Sequence, residues 1–255
     1  MISIKSDSEI KFMREANRIV SAVLDNLAEM IKPGVSTWEL NEKAEEILKD
    51  NNARAAFYGF TTDGLPPFKY NICASVNDEI VHGYSSKEKI LHEGDIIGID
   101  IGAEKNGFFG DSARTFAVGQ IDKKSEKLMK ITRLALERAI EKCISGNRIG
   151  DLSAIIEETA KQNGFYVAEN LTGHGVGREL HEQPIIFNVG KPGTGPRLRD
   201  GMTIAIEPMF NIGTSETIEN EWVFSTADNS NSAHFEHTVL IKGDNPEILS
   251  KEGVA

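Results

Sequence analysis

The feature that most constrains this chain is a helical pattern that recurs 112 residues further along. When the chain is aligned with itself at this offset, nine of the 33 positions in residues 19–51 are identical, including Ile19 with Ile131 and Gly34 with Gly146. Shared helical composition raises such a score, but nine identities exceed what unrelated segments give. The repeat therefore predicts two related halves, each with the same order of elements.

Each half begins with two predicted helices. Apolar residues at helical spacing predict a helix over residues 7–31, which stops before Pro33. Ser36, followed three residues later by Glu39, is typical of a helix N-cap and predicts a second helix through about Asn51. The second half repeats this order, with helices predicted over residues 124–145 and 150–163.

Strand-like segments follow each helix pair, at residues 72–76, 96–101, 108–118, 204–210 and 235–242. Two helices followed by strands predict an α+β fold with a mostly antiparallel central sheet and helices on its outer face. No Ser/Gly-rich linker separates the halves. We therefore predict a single domain over residues 1–255, with pseudo-symmetric halves at about 1–120 and 121–250.

Charge and hydropathy narrow the classes of partner. The formal net charge of −11, from 39 acidic and 28 basic residues, argues against a nucleic-acid or anionic-membrane surface. No apolar run has the length of a signal peptide or a membrane span, so we expect a cytoplasmic protein. The two cysteines, Cys73 and Cys143, have no metal-ligand or redox spacing and are expected to stay reduced.

Two aspartates in an apolar hairpin give the first indication of a site. In the stretch DIIGIDIGAEKNGFFGD, Asn106-Gly107 predicts a turn between two strands. Asp111 then lies either directly opposite Asp100 or opposite Gly102 and diagonal to Asp100. Both registers place the two carboxylates on one face. Two ionised carboxylates there repel each other, so either one takes a proton or a cation lies between them.

The second half adds further carboxylates and histidines. Glu207 and Glu236 lie in apolar strands, His174 and His181 lie in a glycine-rich loop, and His82 follows a strand. Each of these residues alone is more often a surface or edge residue than part of a site. Four carboxylates in apolar strands and three histidines, spread over both halves, together predict one convergent site.

Four motifs carry a resemblance to a known family. IDIGAEKNGFFGD, TGHGVGRELHEQP, IAIEPMF and FEHTVL resemble the metal-ligand motifs of type I methionine aminopeptidases, which remove the initiator methionine from nascent chains. The resemblance extends over nearly the whole chain. It implies the internally duplicated α+β fold called pita-bread. It also implies a compact enzyme, because no large insertion lies between His174 and Glu207 or between Glu207 and Glu236.

The resemblance also implies the role of each site residue. Asp111 and Glu236 would bridge two metals, Asp100 would complete one metal site, and His174 and Glu207 would complete the other. An oxygen-rich donor set of this kind suits Mn, Fe, Co or Zn.

The implied reaction is attack by a metal-bridged hydroxide on the first peptide bond, while one metal accepts the substrate α-amine. Glu207 would also carry the proton from water to the leaving amine. His82 and His181 would hold the substrate backbone and stabilise charge on the scissile amide.

The residues of the methionine side-chain pocket are predicted in less detail. Cys73 and Trp222 stand where the family has pocket-lining residues, and Leu180 stands where an aromatic residue is often found. Four aromatic residues of the 58–71 segment could form the wall of the pocket or could only pin this loop to the core: Tyr58, Phe60, Phe68 and Tyr70.

Two histidines flank Glu236. In a regular strand His234 would share the face of Glu236, and His237 would point away from it. This predicts His234 as a partner of the ligands and His237 as a structural residue.

Two other functions stay open from the sequence. One is a proline-directed aminopeptidase or dipeptidase of the same fold, although such relatives usually carry an extra N-terminal domain. The other is a non-catalytic binding module, which would be expected to have lost ligand residues. The expected partner is the N-terminal methionine of nascent polypeptides. A transient association with the ribosome is left open, and the resemblance suggests a monomer.

Overall fold

The helices lie in two consecutive pairs, as the repeat predicts. The computed structural model describes residues 1–251 and 253. Within this part of the chain four helices form: α1 (Asp7–Met30), α2 (Thr37–Asp50), α3 (Lys123–Ile140) and α4 (Ile149–Asn163). None of them, over the residues described, is both long enough and apolar enough to cross a bilayer.

Local capping explains where the first pair begins. Ser6 and Ser36 are the N-caps of α1 and α2, and each forms a capping box with the glutamate three residues later, Glu9 or Glu39. These reciprocal hydrogen bonds satisfy backbone N–H groups that have no partner within the helix. The N-cap predicted at Ser36 is therefore confirmed.

The predicted end of α3 is wrong by five residues. The helix ends at Ile140 rather than at residue 145. Beyond that point the N–H groups of Lys142 and Cys143 donate to the carbonyls of Ala139 and Ile140, so the helix tightens to a three-residue spacing. The apolar periodicity continues through this turn because Cys143 is still buried.

Fifteen strands complete the described part of the chain. They are β1 (Arg54–Ala55), β2 (Cys73–Val76), β3 (Glu79–Val81), β4 (Ile96–Lys105), β5 (Phe108–Ala117), β6 (Tyr166–Val167), β7 (Thr172–Gly175), β8 (Glu182–Phe187), β9 (Thr203–Ile206), β10 (Met209–Asn211), β11 (Thr217–Asn220), β12 (Val223–Thr226), β13 (Ser232–His234), β14 (His237–Leu240) and β15 (Glu247–Ile248).

Every strand pairing of the described residues is antiparallel. The strands form four sheets: β1-β4-β2 with β5 on β4, β13-β10-β6, β11-β12-β3 and β15-β14-β9-β7-β8. The predicted α+β fold with mostly antiparallel strands is confirmed, with the sheet divided into these four parts.

Two of the predicted strands are interrupted, and both interruptions lie at a glutamate. Segment 204–210 divides at Glu207-Pro208 into β9 and β10, since proline has no N–H for the ladder. Segment 235–242 begins only at His237, because β13 pairs with β10 whereas β14 pairs with β9. Both glutamates therefore lie where the chain passes from one sheet to another.

The helices pack on the strand faces that carry the isoleucines. Ile97, Ile99 and Ile101 of β4 are fully buried in one cluster with apolar side chains of α1 and α2. Alternation along the strand then turns Asp100 to the opposite face. In the second half α3 and α4 cover Ile204 and Ile206 of β9 in the same way.

The backbone of α1 comes into direct contact with β5 at Gly110. A Cβ atom at this position would lie 2.7 Å from the backbone nitrogen of Asn17 and 2.8 Å from the carbonyl carbon of Ala16. Real Cβ atoms do not approach so closely, so only glycine allows this packing. The next residue along β5 is Asp111.

Candidate metal centre

The β4–β5 hairpin places Asp100 and Asp111 on one face. Asn106 and Gly107 have φ of 55° and 78°, which is typical of a tight Asn-Gly turn. The register pairs Gly102 with Asp111 and Asp100 with Ala113. Of the two registers predicted from the sequence, the diagonal one is therefore observed, and both carboxylates line a single cavity.

Glu236 reaches the hairpin through its backbone. Its N–H donates to the carbonyl of Ala113 at 2.8 Å, and Ala113 pairs with Asp100. Thr238, on β14, accepts a hydrogen bond from the N–H of Asp111 and donates one to its carbonyl, which holds the two segments together. These contacts bring Glu236 close to the two aspartates of the hairpin.

His174 presents a lone pair to the carboxylates. Its Nδ1 donates to the carbonyl of Gly175 at 2.8 Å, which leaves Nε2 without a proton in the neutral ring. Nε2 lies 3.7 Å from Asp111 Oδ2 and 3.6 Å from Glu207 Oε1. Burial lowers the pKa of His174 to about 3, so the imidazole stays neutral and can bind a metal.

The five predicted ligand residues lie together, although not equally tightly. One potential ligand atom from each of Asp111, His174 and Glu236 lies within 4.8 Å of the others. Glu207 joins this group through its contact with His174, and Asp100 lines the same cavity. The structure thus brings all five predicted ligand residues into one cluster.

The carboxylates of this cluster are short of compensating partners. Asp100 Oδ1, Asp111 Oδ1 and Glu236 Oε1 are buried and have no hydrogen-bond partner among the described residues. Burial raises the pKa of Asp100 to about 7 and that of Glu207 to about 8.

The pKa of Asp111 and that of Glu236 are raised well above the usual range. Burial is the main cause, and repulsion from neighbouring carboxylates is the second. Since unpaired buried carboxylates are costly and oxygen donors with one imidazole suit divalent cations, these residues fit a metal centre.

His82 and His181 lie beside this cluster. His82 has a φ of 59° and donates from Nδ1 to the carbonyl of Trp222 at 3.1 Å, so Nε2 is the free acceptor of its neutral ring. The ring of His181 stands edge-on to that of His174, with centroids 4.5 Å apart. Burial lowers the pKa of His82 to about 4 and also lowers that of His181, which keeps both rings neutral.

A small apolar cavity adjoins the carboxylates, and we call it the inner cavity. Its volume is about 100 Å³, and its apolar lining consists of Phe57, Phe60, Phe68, Cys73, Leu180 and Trp222. The Nε1 of Trp222 donates to the carbonyl of Pro66, which fixes the indole against the 58–71 loop. A cavity of this size, with one polar end, suits a single unbranched side chain.

The four aromatic residues of the 58–71 loop have different surroundings in the structure. Phe60 and Phe68 line the inner cavity, whereas Tyr58 is 65% exposed and does not line it. Tyr70 packs behind the wall, with its ring 5.4 Å from that of Phe68. Phe60 and Phe68 therefore line a cavity and Tyr70 packs behind them, while the role of this cavity as a methionine pocket stays a prediction.

Phe57 belongs to the wall and is missed by the sequence reasoning. The signal that could have found it is Gly102, in the middle of β4. A Cβ atom there would lie 2.7 Å from the Cβ of Ala56, 3.1 Å from the ring of Phe57 and 3.3 Å from Leu180. A glycine inside an apolar strand often marks the close approach of another group, here the segment that carries Phe57.

A larger cavity, of about 850 Å³, leads from the carboxylates to the surface, and we call it the outer cavity. Asp100, His174 and Glu207 line both cavities, as do His82 and His181, so the two cavities meet at the cluster. The outer cavity continues past Gln183 and Ile185 of β8. Its volume is several times that of the inner cavity.

Known proteins with similar sequences show the family of this chain. Residues 11–243 match the model of metallopeptidase family M24. The chain belongs to metallopeptidase family M24. A methionine aminopeptidase from Clostridium acetobutylicum is 45% identical over 252 residues, which cover 98% of this chain and 99% of the relative. The resemblance inferred from the four sequence motifs is confirmed.

Solved structures in family M24 share the fold. The crystal structure of a methionine aminopeptidase from Thermotoga maritima has a TM-score of 0.95 and 44% identity, and covers 99% of this chain and 100% of that one. A prolidase from Pyrococcus horikoshii has a TM-score of 0.78 and 26% identity, and this chain covers only 63% of its length. These relatives confirm the predicted pita-bread fold.

Proposed function

We propose that this M24 protein is a metal-dependent methionyl aminopeptidase, a hydrolase that removes the N-terminal methionine of polypeptides. The observation that carries the proposal is the apolar inner cavity, which ends at the carboxylate cluster and opens there into the outer cavity. A methionine side chain fits the inner cavity, and the rest of the polypeptide extends through the outer cavity. High identity to methionine aminopeptidases over the whole chain supports the same reading.

The proline-directed alternative has weaker support. The prolidase structure resembles this chain less closely, with a TM-score of 0.78 against 0.95, and this chain covers only part of it. The binding-module alternative is disfavoured because all five ligand residues are present and lie in one cluster.

We propose that the cluster holds two divalent cations, from among Co, Mn, Fe and Zn. Asp111 and Glu236 would be shared ligands, Asp100 would complete one site, and His174 with Glu207 would complete the other. When bound, such cations supply Lewis acidity and lower the pKa of water. The unpartnered carboxylate oxygens and the lone pair of His174 support this assignment.

The chain's own residues bind and orient the substrate. Phe60, Phe68 and Trp222 enclose the thioether in a water-excluding pocket, which fixes the first residue. His82, with its free Nε2 acceptor, can receive the N–H of the substrate backbone, and His181 can stabilise charge on the scissile amide. Glu207 lines both cavities at the cluster, where it can take a proton from water and pass it to the leaving amine.

The proposal is tested with protein stripped of metal and a panel of peptides that vary the first two residues. We expect hydrolysis of Met-Ala-Ser only after Mn, Fe or Co is restored, with release of free methionine detected by chromatography. Release of residues adjacent to proline, without release of methionine, would instead support the proline-directed function. Absence of metal uptake by the folded protein would support the binding module.

We further propose that the protein acts as a monomer in the cytoplasm, on nascent polypeptides, and contacts the ribosome only transiently. Its net charge of −11 makes direct nucleic-acid binding unfavourable, which supports a contact with the ribosome that is no more than transient. We also propose that the whole chain forms one domain of two related halves, since the candidate ligands come from both.

The specificity pocket gives a prediction of its own. Phe60 lines the inner cavity and contacts the rings of both His181 and Trp222, so Phe60→Ala removes part of the wall. We expect kcat/KM for Met-Ala-Ser to fall about 10- to 100-fold, the range for loss of a few kcal/mol of pocket contact. Preference for methionine over leucine at the first position should fall as well.

The matched control is Tyr58→Ala, two residues away and largely exposed. Steady-state kinetics on Met-Ala-Ser and Leu-Ala-Ser should show this variant close to the unmodified protein. If both variants lost activity equally, the inner cavity would not be the methionine pocket.

A further inference from the structure

His234 is a buried histidine of the metal centre to which the proposed chemistry gives no role. It is the last residue of β13 and is 3% exposed. Thr115 holds its main chain from both sides: the hydroxyl donates to the His234 carbonyl at 2.8 Å and accepts from the His234 N–H at 2.9 Å. Because the main chain is fixed in this way, the ring is held close to the carboxylates.

The ring nitrogen of His234 faces Glu207. Nε2 lies 3.4 Å from Oε2 of Glu207 and has no hydrogen-bond partner among the described residues. The other oxygen, Oε1, lies 3.6 Å from Nε2 of His174. The two oxygens of one carboxylate are thus divided between two imidazoles.

These two imidazoles have different capacities. Nδ1 of His174 already donates its proton to the Gly175 carbonyl, so the Nε2 of that neutral ring can only accept. Of the two imidazoles, only that of His234 can donate a hydrogen bond to an ionised Glu207. A carboxylate without any such donor can rotate about its last bond, which weakens its aim at a metal or a proton.

We propose that His234 is a positioning residue, whose Nε2–H donates to Oε2 of Glu207 and turns Oε1 toward His174 and the shared centre. The effect on metal affinity rests on this geometry. The effect on turnover rests in addition on the proposed function.

The test compares His234→Leu, which keeps much of the volume but has no donor, with His234→Gln, which keeps an N–H donor. Metal-free protein is titrated with Co²⁺ and followed by visible absorption, and kcat and KM are measured on Met-Ala-Ser. The leucine variant should lose about 10- to 100-fold in Co²⁺ affinity and in kcat, as is typical for partners of metal ligands. KM should change little, and glutamine should restore most of both losses.

A double-mutant cycle shows whether the effect passes through Glu207. In a Glu207→Gln background, His234→Leu should cause little further loss of Co²⁺ affinity, because the two residues act as one unit. Additive losses would overturn the proposal, as would a leucine variant with unchanged affinity and kcat. A glutamine variant as impaired as the leucine variant would show that only the packing of the ring matters.

Thermal unfolding of the metal-free variants checks that each is folded, with His92→Leu, at an exposed surface histidine, as the control. His234→Met is the second donor-free variant if the leucine variant does not fold. If the unmodified protein binds Co²⁺ but releases no methionine, the proposed function fails, whereas the Co²⁺ titration still decides the role of His234.

Discussion

Asp111→Asn is expected to abolish aminopeptidase activity, with kcat/KM on Met-Ala-Ser falling on the order of 10³-fold or more. The metal of a hydrolytic site contributes several kcal/mol to transition-state stabilisation, and each 1.4 kcal/mol is a factor of ten. Asp111 is part of the tightest group of potential ligand atoms, with His174 and Glu236. Its amide has nearly the same shape, but it carries no charge to hold a shared cation.

The same substitution should stabilise the metal-free protein. Burial, and after it repulsion from neighbouring carboxylates, raises the pKa of Asp111, so keeping an acid at this position costs free energy that a neutral amide does not. Calorimetric unfolding should therefore show a higher Tm for metal-free Asp111→Asn, and a smaller increase in Tm on adding Mn²⁺. Asp50→Asn, at the exposed end of α2, is the control for loss of an acid outside the centre. Full activity of Asp111→Asn would rule out the proposed bridging ligand.

Metal-free protein is expected to lose stability as the pH rises from about 6.5 to 8. The pKa of Asp100 is about 7 and that of Glu207 about 8 in the folded chain, both above their values when unfolded. The native state therefore binds more protons than the unfolded state in this range, and the free energy of unfolding falls with rising pH. At 1.4 kcal/mol for each pKa unit, the loss is roughly 2 kcal/mol or more.

The histidines set the lower limit of this range. The pKa of His82 is about 4 and that of His174 about 3, both below the value of about 6.5 expected in the unfolded chain. Below pH 6.5 the unfolded state therefore binds the extra protons on histidine, which opposes the effect of the carboxylates. At pH 6.5 about half of these histidines still carry a proton in the unfolded state, so their opposing contribution fades over the next unit of pH and the carboxylates dominate above it.

Urea unfolding at a series of pH values, with chelator and then with Mn²⁺, measures this effect. Metal should reverse the slope, because cations bind the deprotonated carboxylates and stabilise the folded state more at higher pH. Asp111→Asn should flatten the slope of the metal-free protein. A metal-free stability that is constant or rises from pH 6.5 to 8 would contradict the raised pKa values.

Much of the candidate centre could be predicted because strand alternation and turn chemistry are local. Asn106-Gly107 fixed a short turn, and with it the shared face of Asp100 and Asp111, whichever register was formed. The helix starts followed from capping residues such as Ser36. The roles of the five proposed ligands, and the division into two related halves, stay predictions until they are measured.

The features of the site that could not be predicted depend on contacts between segments that are distant in the sequence. Glu207 and Glu236 were predicted inside continuous strands, yet both lie at breaks where the chain changes its pairing partner. Sequence patterns describe the faces of one strand but not the change from one sheet to the next. Phe57 escaped prediction for the same reason, since its place in the wall depends on space left by Gly102.

The contact of α1 with Gly110 has a consequence for how this protein can vary. The helix touches the strand on the face opposite the cluster, one residue before Asp111, so its position sets the height of that carboxylate above the centre. A change in the packing of Ala16 or Asn17 would move the acid without touching the substrate cavities. The packing of α1 and the position of the Asp111 carboxylate are therefore linked, and a change in one requires an adjustment of the other.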